Sequence, residues 1–155
     1  MDVATTTAVE PWKTRRPRSL REVAIWGAQL GETDPFLREF LDTFYAASEP
    51  AVQAAMLAEE PPATGQPRAD AYLAAVAEHL ALRYGLPVPS WSGEASRFLH
   101  RPFFPSGLES LKATLLVESP VAFRRRLIFV GADPLYRPRR DATGFDPQPL
   151  DPQAE

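Results

Sequence analysis

The sequence predicts a mainly α-helical protein, a compact bundle of about six helices between two flexible ends. Apolar residues recur at three- and four-residue spacing in segment after segment, as on the buried face of a helix. Those segments open on a capping residue or a first-turn proline and close on glycine or proline. The chain has 155 residues, 45% apolar and 24% charged, which suits one soluble domain with its own core.

Residues 1–18 read as a flexible arm, with Pro11 and Pro17 around Lys13, Arg15, Arg16 and Arg18. Trp12 is its exception, an apolar side chain with reason to dock on the domain or on a partner. The single domain is expected over 19–137. Its first helix opens on a capping box, Ser19-Leu-Arg-Glu22, whose spacing lets each end satisfy the other's orphan amides. Val23, Trp26 and Leu30 form its inner face, and Gly31 stops it.

Asp34-Pro35 starts the second helix as N-cap and first-turn proline. Phe36, Leu37, Phe40, Leu41, Phe44 and Tyr45 give it the most pronounced apolar face of the chain. Glu49-Pro50 starts a third, with Val52, Met56 and Leu57 inward. The loop from Glu59 to Pro67 cannot continue a helix, because its prolines and Gly65 break the hydrogen-bond ladder. A fourth helix follows from about Arg68 to Tyr84, ended by Gly85 at C′ and Pro87 beyond it.

Residues 86–105 are irregular, with a short helix from Glu94 to Leu99 as one option. Trp91, Phe98, Phe103 and Phe104 are too apolar for a free loop, so the stretch should pack across the core. Ser106-Gly-Leu-Glu109 has capping-box spacing and predicts a helix to about Val117, with Leu108, Leu111, Leu115 and Leu116 inward. Ser119-Pro120 predicts one more helix start, leading into Phe123 and Arg124, Arg125 and Arg126. From Leu127 to Val130 the pattern fits either a continued helix or one short β-strand. Residues 138–155 read as an acidic, proline-spaced disordered tail.

Charge is divided along the chain. From Ser19 to Ser96 there are 4 Lys and Arg against 11 Asp and Glu, a balance of −7. From Arg97 to Arg140 there are 9 against 3, a balance of +6, while the whole chain stands at −3. Such a split favours pairing between the halves inside the fold, or two different partner surfaces. Fifteen of the 17 basic residues are arginine, the side chain suited to bidentate pairing with carboxylate or phosphate.

Catalytic and cofactor motifs are missing from the sequence. His79 and His100 are its two histidines, and His79 belongs to no H-E-x-x-H pair because position 82 is leucine. No G-x-S-x-G elbow, P-loop or G-x-G-x-x-G occurs. With no cysteine, disulfides and thiolate metal sites are excluded, which fits a reducing cytosol. No apolar run is long enough to span a membrane. The N-terminus does not read as a secretory signal, so the expectation is a cytoplasmic protein without cofactor or metal.

The candidate binding residues are therefore Arg124, Arg125 and Arg126, the carboxylates Glu59 and Glu60 at the end of the third helix, and Trp12. Carboxylates there oppose the helix dipole, which points to a use such as pairing with arginines. Successive helical positions turn about 100°, so three consecutive arginines cannot all face one row of phosphates. At least one should tie its segment to an acidic helix near Glu59 or Asp42. Structural pairing ranks first, a protein partner second and nucleic acid third. An enzyme using Glu59, Glu60 or His79 in an interhelical pocket is the remaining alternative.

Four segments resemble a little-characterised bacterial family: Arg38-Glu-Phe-Leu-Asp-Thr-Phe-Tyr45, Leu57-Ala-Glu-Glu-Pro-Pro62, the run Asp70 to Ala81, and Glu118 to Val130. The resemblance spans residues 19–140. It implies a small helical protein, encoded beside or fused to helix-turn-helix regulators or nucleotidyltransferase-like partners in toxin–antitoxin-type operons. It brings no catalytic role, and no separate helix-turn-helix domain is identifiable in this chain. The function expected is a non-enzymatic interaction protein, antitoxin-like or regulatory. Its partner would be another bacterial protein, and nucleic-acid binding through the arginine-rich part is the alternative.

Overall fold

The computed structural model describes residues 10–138, so residues 1–9 and most of the expected acidic tail lie outside the described part. The protein is mainly helical, as the apolar spacing predicts. Its α-helices are α1 (Leu20–Leu30), α2 (Asp34–Ala46), α3 (Pro50–Ala58), α4 (Pro67–Tyr84), α5 (Lys112–Glu118) and α6 (Val121–Arg124). Short 3-10 turns stand at Pro11–Lys13, Ser90–Gly93, Ala95–Arg97 and Glu109–Leu111.

α4 is the axis of the fold, packing against α1, α3, α6 and the turns at 90–97. Its sequence explains why. Ala71, Ala74, Ala75, Ala77 and Ala81 are fully buried, and these small side chains let neighbours approach the backbone from several directions. Leu73, Val76 and Leu80 fill the space between, against Phe40, Phe44, Leu57 and Phe123 in one core. Among the described residues no helix is long and apolar enough to cross a membrane.

Helix ends are secured by side chains from elsewhere in the chain. Gln53 Nε2 donates to the carbonyls of Phe44 and Ala47 at the end of α2, each at 3.3 Å. Trp91 Nε1 donates to Leu57 O at 3.0 Å near the end of α3. Gly85 takes the left-handed conformation expected of a C′ residue, at φ 65°. α1 and α2 meet so closely that a Cβ on Gly27 would stand 2.8 Å from Thr33 Oγ1.

Ser19 caps α1 as predicted, its hydroxyl accepting from the Glu22 amide at 3.1 Å. The return half of the box is shifted by one residue, because Glu22 Oε1 accepts from the Arg18 amide at 2.9 Å. Ser19→Ala is expected to lower stability by about 1 kcal/mol, read as a lower urea midpoint at unchanged slope. In α2 the boundary also moves by one. Asp34 is the first helical residue, bonded to Arg38 at 3.1 Å, and no side chain caps the end.

The stretch 10–18, expected within a free arm, is folded onto α1. Trp12 meets Trp26 edge-on at 6.4 Å, and Arg15 is bonded to Glu22 at 2.9 and 2.5 Å. The capping box expected at Ser106 does not form. Gly107 is left-handed at φ 66°, the Ser106 hydroxyl accepts from Leu108 N, and α5 begins only at Lys112.

Neither option expected for Leu127 to Val130 is realised. The helix ends in a Schellman turn: Leu127 N donates to Arg124 O at 2.9 Å and Ile128 N to Phe123 O at 3.0 Å. Leu127 occupies the left-handed position at φ 62°, where glycine is usual, and Phe123 and Ile128 are both fully buried. Ile128 then makes a single parallel bridge with Phe103, and no strand forms among the described residues.

Candidate functional site

The Schellman turn decides where the three arginines go. Arg124 lies in the last turn of α6, and Arg125 and Arg126 follow while the backbone is reversing, so each guanidinium reaches a different part of the fold. Arg124 Nη2 turns back to the end of α5 and donates to Val117 O and Ser119 O, both at 2.8 Å. A cation on those carbonyls also suits the negative end of that helix.

Arg125 and Arg126 share one carboxylate, Glu78 of α4. Arg125 Nη1 stands 2.5 Å from Oε1, and Arg126 Nη1 is bonded to Oε2. Arg126 also donates to Ala122 O at 2.7 Å and to Ser92 O at 2.6 Å, so it ties α6, α4 and the turn at 90–93 together. Its side chain is only 1% exposed and Glu78 only 8%, whereas Arg125 is 49% exposed. Burial pulls the Arg126 guanidinium below the usual arginine value, and Glu78 opposes that pull. The Phe98 ring lies against both cations, at 4.6 Å from Arg126 and 5.2 Å from Arg125.

The carboxylate that holds Arg125 and Arg126 is Glu78 of α4, not one near Glu59 or Asp42, and α4 is not an acidic helix, since Arg68 and Arg83 balance its Asp70 and Glu78. Asp42 pairs instead with Arg137 at 3.0 Å, and Glu59 lies 3.7 Å from Arg21. Glu60 is 3.8 Å from Arg97. Arg97 is itself buried and donates to Pro61 O at 2.6 Å, holding the proline loop onto the turn at 95–97. Arg21, Glu60, Pro61, Asp70 and Arg97 line an open cavity of about 300 Å³. Glu94 shares a hydrogen bond with Glu60, which pushes the Glu94 carboxyl up. The Asp70 carboxylate accepts from Thr64 N and Thr64 Oγ1 at 3.0 and 2.8 Å. Among the described residues no three His, Asp or Glu groups converge as metal ligands.

His79 follows Glu78 on α4 and packs edge-on against Phe123, ring centroids 5.7 Å apart. Its Nε2 is buried without a hydrogen-bond partner. Burial, then the nearby Arg83, lowers its pKa below the ordinary histidine value, and Asp133 works the other way. The unfolded chain therefore binds the proton first. The stability from neutral His79 is complete above about pH 6.5 and is lost as the pH falls below it, towards the folded value. Thermal unfolding from pH 7 to 5 should show a steeper loss of Tm in the wild type than in His79→Gln.

The exposed apolar surface, which the sequence does not predict, runs from Leu108 through α5. Four leucines were expected inward, but Leu115 alone of them is buried. Leu108, Leu111 and Leu116 are 54%, 40% and 48% exposed. Val117 at 76% and Val121 at 61% extend this apolar surface to the first turn of α6. It adjoins the exposed arginines directly, since Arg124 holds Val117 O and the Arg125 amide donates to Val121 O. α5 makes just two turns, and its single buried residue leaves the other apolar side chains outside. The segment's helical spacing gave no warning, because Leu108, Leu111, Leu115 and Leu116 stand at the spacing of one buried face.

Ser119 locks this corner to the core. Its hydroxyl lies 2.6 Å from Leu115 O and 3.0 Å from Val130 O, and it accepts from Val130 N at 2.9 Å. The expected N-cap role is not taken, and Pro120 occupies that position.

No protein-family model matches the chain, no curated protein is similar to it, and no solved structure matches it.

Proposed function

We propose that this protein is a non-enzymatic interaction protein, antitoxin-like or regulatory, that works by binding another protein through α5 and the first turn of α6. The observation that supports this reading is the run of exposed Leu and Val from Leu108 to Val121, beside exposed arginines. Isolated apolar side chains on a surface need no explanation, whereas several within one short segment are typical of an interaction site. The candidate arginines are drawn into holding that element in place, so the clamp and the surface belong to one construction. Trp12 packs on Trp26, and Glu59 and Glu60 stand beside Arg21 and Arg97, so in this reading they contribute through the fold.

Val117→Asp tests the proposal, because Val117 is 76% exposed and its replacement leaves the core intact. The full chain and this variant would be purified from the native host, with unchanged circular dichroism as control. The expected outcome is one stoichiometric protein partner, depleted about tenfold or more by Val117→Asp. A partner retained equally by both would refute the surface. Nucleic-acid binding has less support, since Arg126 is buried and Arg124 and Arg125 reach different parts of the fold rather than one row of phosphates.

A further inference from the structure

Resting on that reading, we infer that the α5–α6 surface takes an amphipathic helix of the partner, with an aliphatic face flanked by carboxylates. The surface supplies the two complementary halves side by side. Val117 near the end of α5 and Val121 at the start of α6 flank the Ser119-Pro120 bend, and Leu108, Leu111 and Leu116 precede them on the same segment, exposed aliphatic side chains against which the apolar face of a helix can pack. No aromatic side chain interrupts this strip among the exposed large apolar residues of the element.

The flank is cationic. Beyond the buried Ala122 and Phe123, Arg124 and Arg125 come to the surface again, and Arg125 shares Glu78 with the buried Arg126. Two guanidinium groups against one carboxylate leave positive charge at the edge. Arg101 adds to it: it is exposed and lies two residues from Phe103, whose amide bonds Leu127 O at 2.8 Å. On α5 and its 3-10 lead-in the acidic residues are Glu109, already 2.8 Å from Lys112, and Glu118. A second copy of this chain would therefore bring little carboxylate to the arginine edge. A partner helix carrying Glu or Asp beside its leucines would meet both halves at once, and charge of that sign would also speed its approach.

The test uses two labelled helical peptides of about 14 residues, identical along a leucine face and flanked by Glu in one and by Lys in the other. Binding to the full chain is followed by fluorescence anisotropy at about 0.05 M and 0.5 M NaCl. The inference expects the Glu peptide to bind at least about tenfold more tightly than the Lys peptide, with the gap closing at high salt. Arg101→Glu should narrow the gap, and Val117→Asp should abolish binding of both. Equal affinity for the two peptides overturns the inferred chemistry while leaving the protein-binding reading standing. Binding unaffected by Val117→Asp overturns both.

Other occupants have their own signatures, and each counts against the inference. A concentration-dependent dimer in sedimentation that Val117→Asp abolishes would assign the surface to a second copy. The stretch Asp141 to Glu155 is itself acidic and carries Phe145 and Leu150. If replacing both by serine in the full chain tightens peptide binding about tenfold, that stretch is the occupant.

Discussion

Arg126→Ala is expected to lower the unfolding free energy by about 3–5 kcal/mol, the usual consequence of leaving one member of a buried ion pair alone. Glu78 would keep only the half-exposed Arg125, and the carbonyls of Ser92 and Ala122 would lose their donor. The pair itself need not be strongly stabilising, because burying two charges offsets much of their attraction. The distinguishing control is Glu78→Leu combined with Arg126→Met, which removes both charges and keeps the volume. That double variant should recover much of the stability lost in Arg126→Ala, as measured by urea unfolding. Equal losses in the two would mean that the hydrogen bonds to Ser92 and Ala122, rather than the charge, hold the segment.

Phe123→Ala is expected to lower stability by about 3–5 kcal/mol through the cavity it leaves. Phe123 is fully buried, meets Tyr72 at 5.3 Å and His79 at 5.7 Å, and packs beneath the turn that ends α6. Burial, with Asp34 adding, pushes the Tyr72 phenol up to about 12, so that hydroxyl is neutral at every ordinary pH. Because Phe123 anchors the four-residue α6, its loss should disturb the binding surface as well as the core. Urea unfolding gives the first effect. Amide exchange at Val121 to Arg125, faster than in the core of α4, gives the second.

Much of the fold was legible in the chain because helix ends leave strong local marks. Ser19, Gly31, Pro50 and Gly85 stand at or next to the ends where local chemistry puts them, and the face of α2 follows from spacing alone. The capping box at Ser106 misled, since Gly107 follows the serine directly and takes a left-handed turn that breaks the helical start. The Schellman turn at Leu127 left no mark, because leucine rarely takes the left-handed conformation and nothing local announces it. What selects it is tertiary: Phe123 and Ile128 are both drawn into the core.

The candidate site was legible in part. Three arginines among apolar residues do sit on a folded element, and an internal acidic partner was expected. That the carboxylate is Glu78 rather than Glu59 or Asp42 depends on where α4 lies beside α6, which no local pattern encodes. The exposed strip on α5 was hidden by the same limit. Leu108, Leu111 and Leu116 look like core residues, yet the described chain leaves about half of each exposed.

Hydrogen exchange on the complex tests the central claim most directly. The partner purified with the full chain would be compared, amide by amide, with the chain alone. New protection is expected at Leu111 to Arg125, with the Glu59 to Pro67 loop and the Trp12 region unchanged. Protection confined to the loop or to Trp12, with Leu111 to Arg125 exchanging as in the free protein, would contradict it.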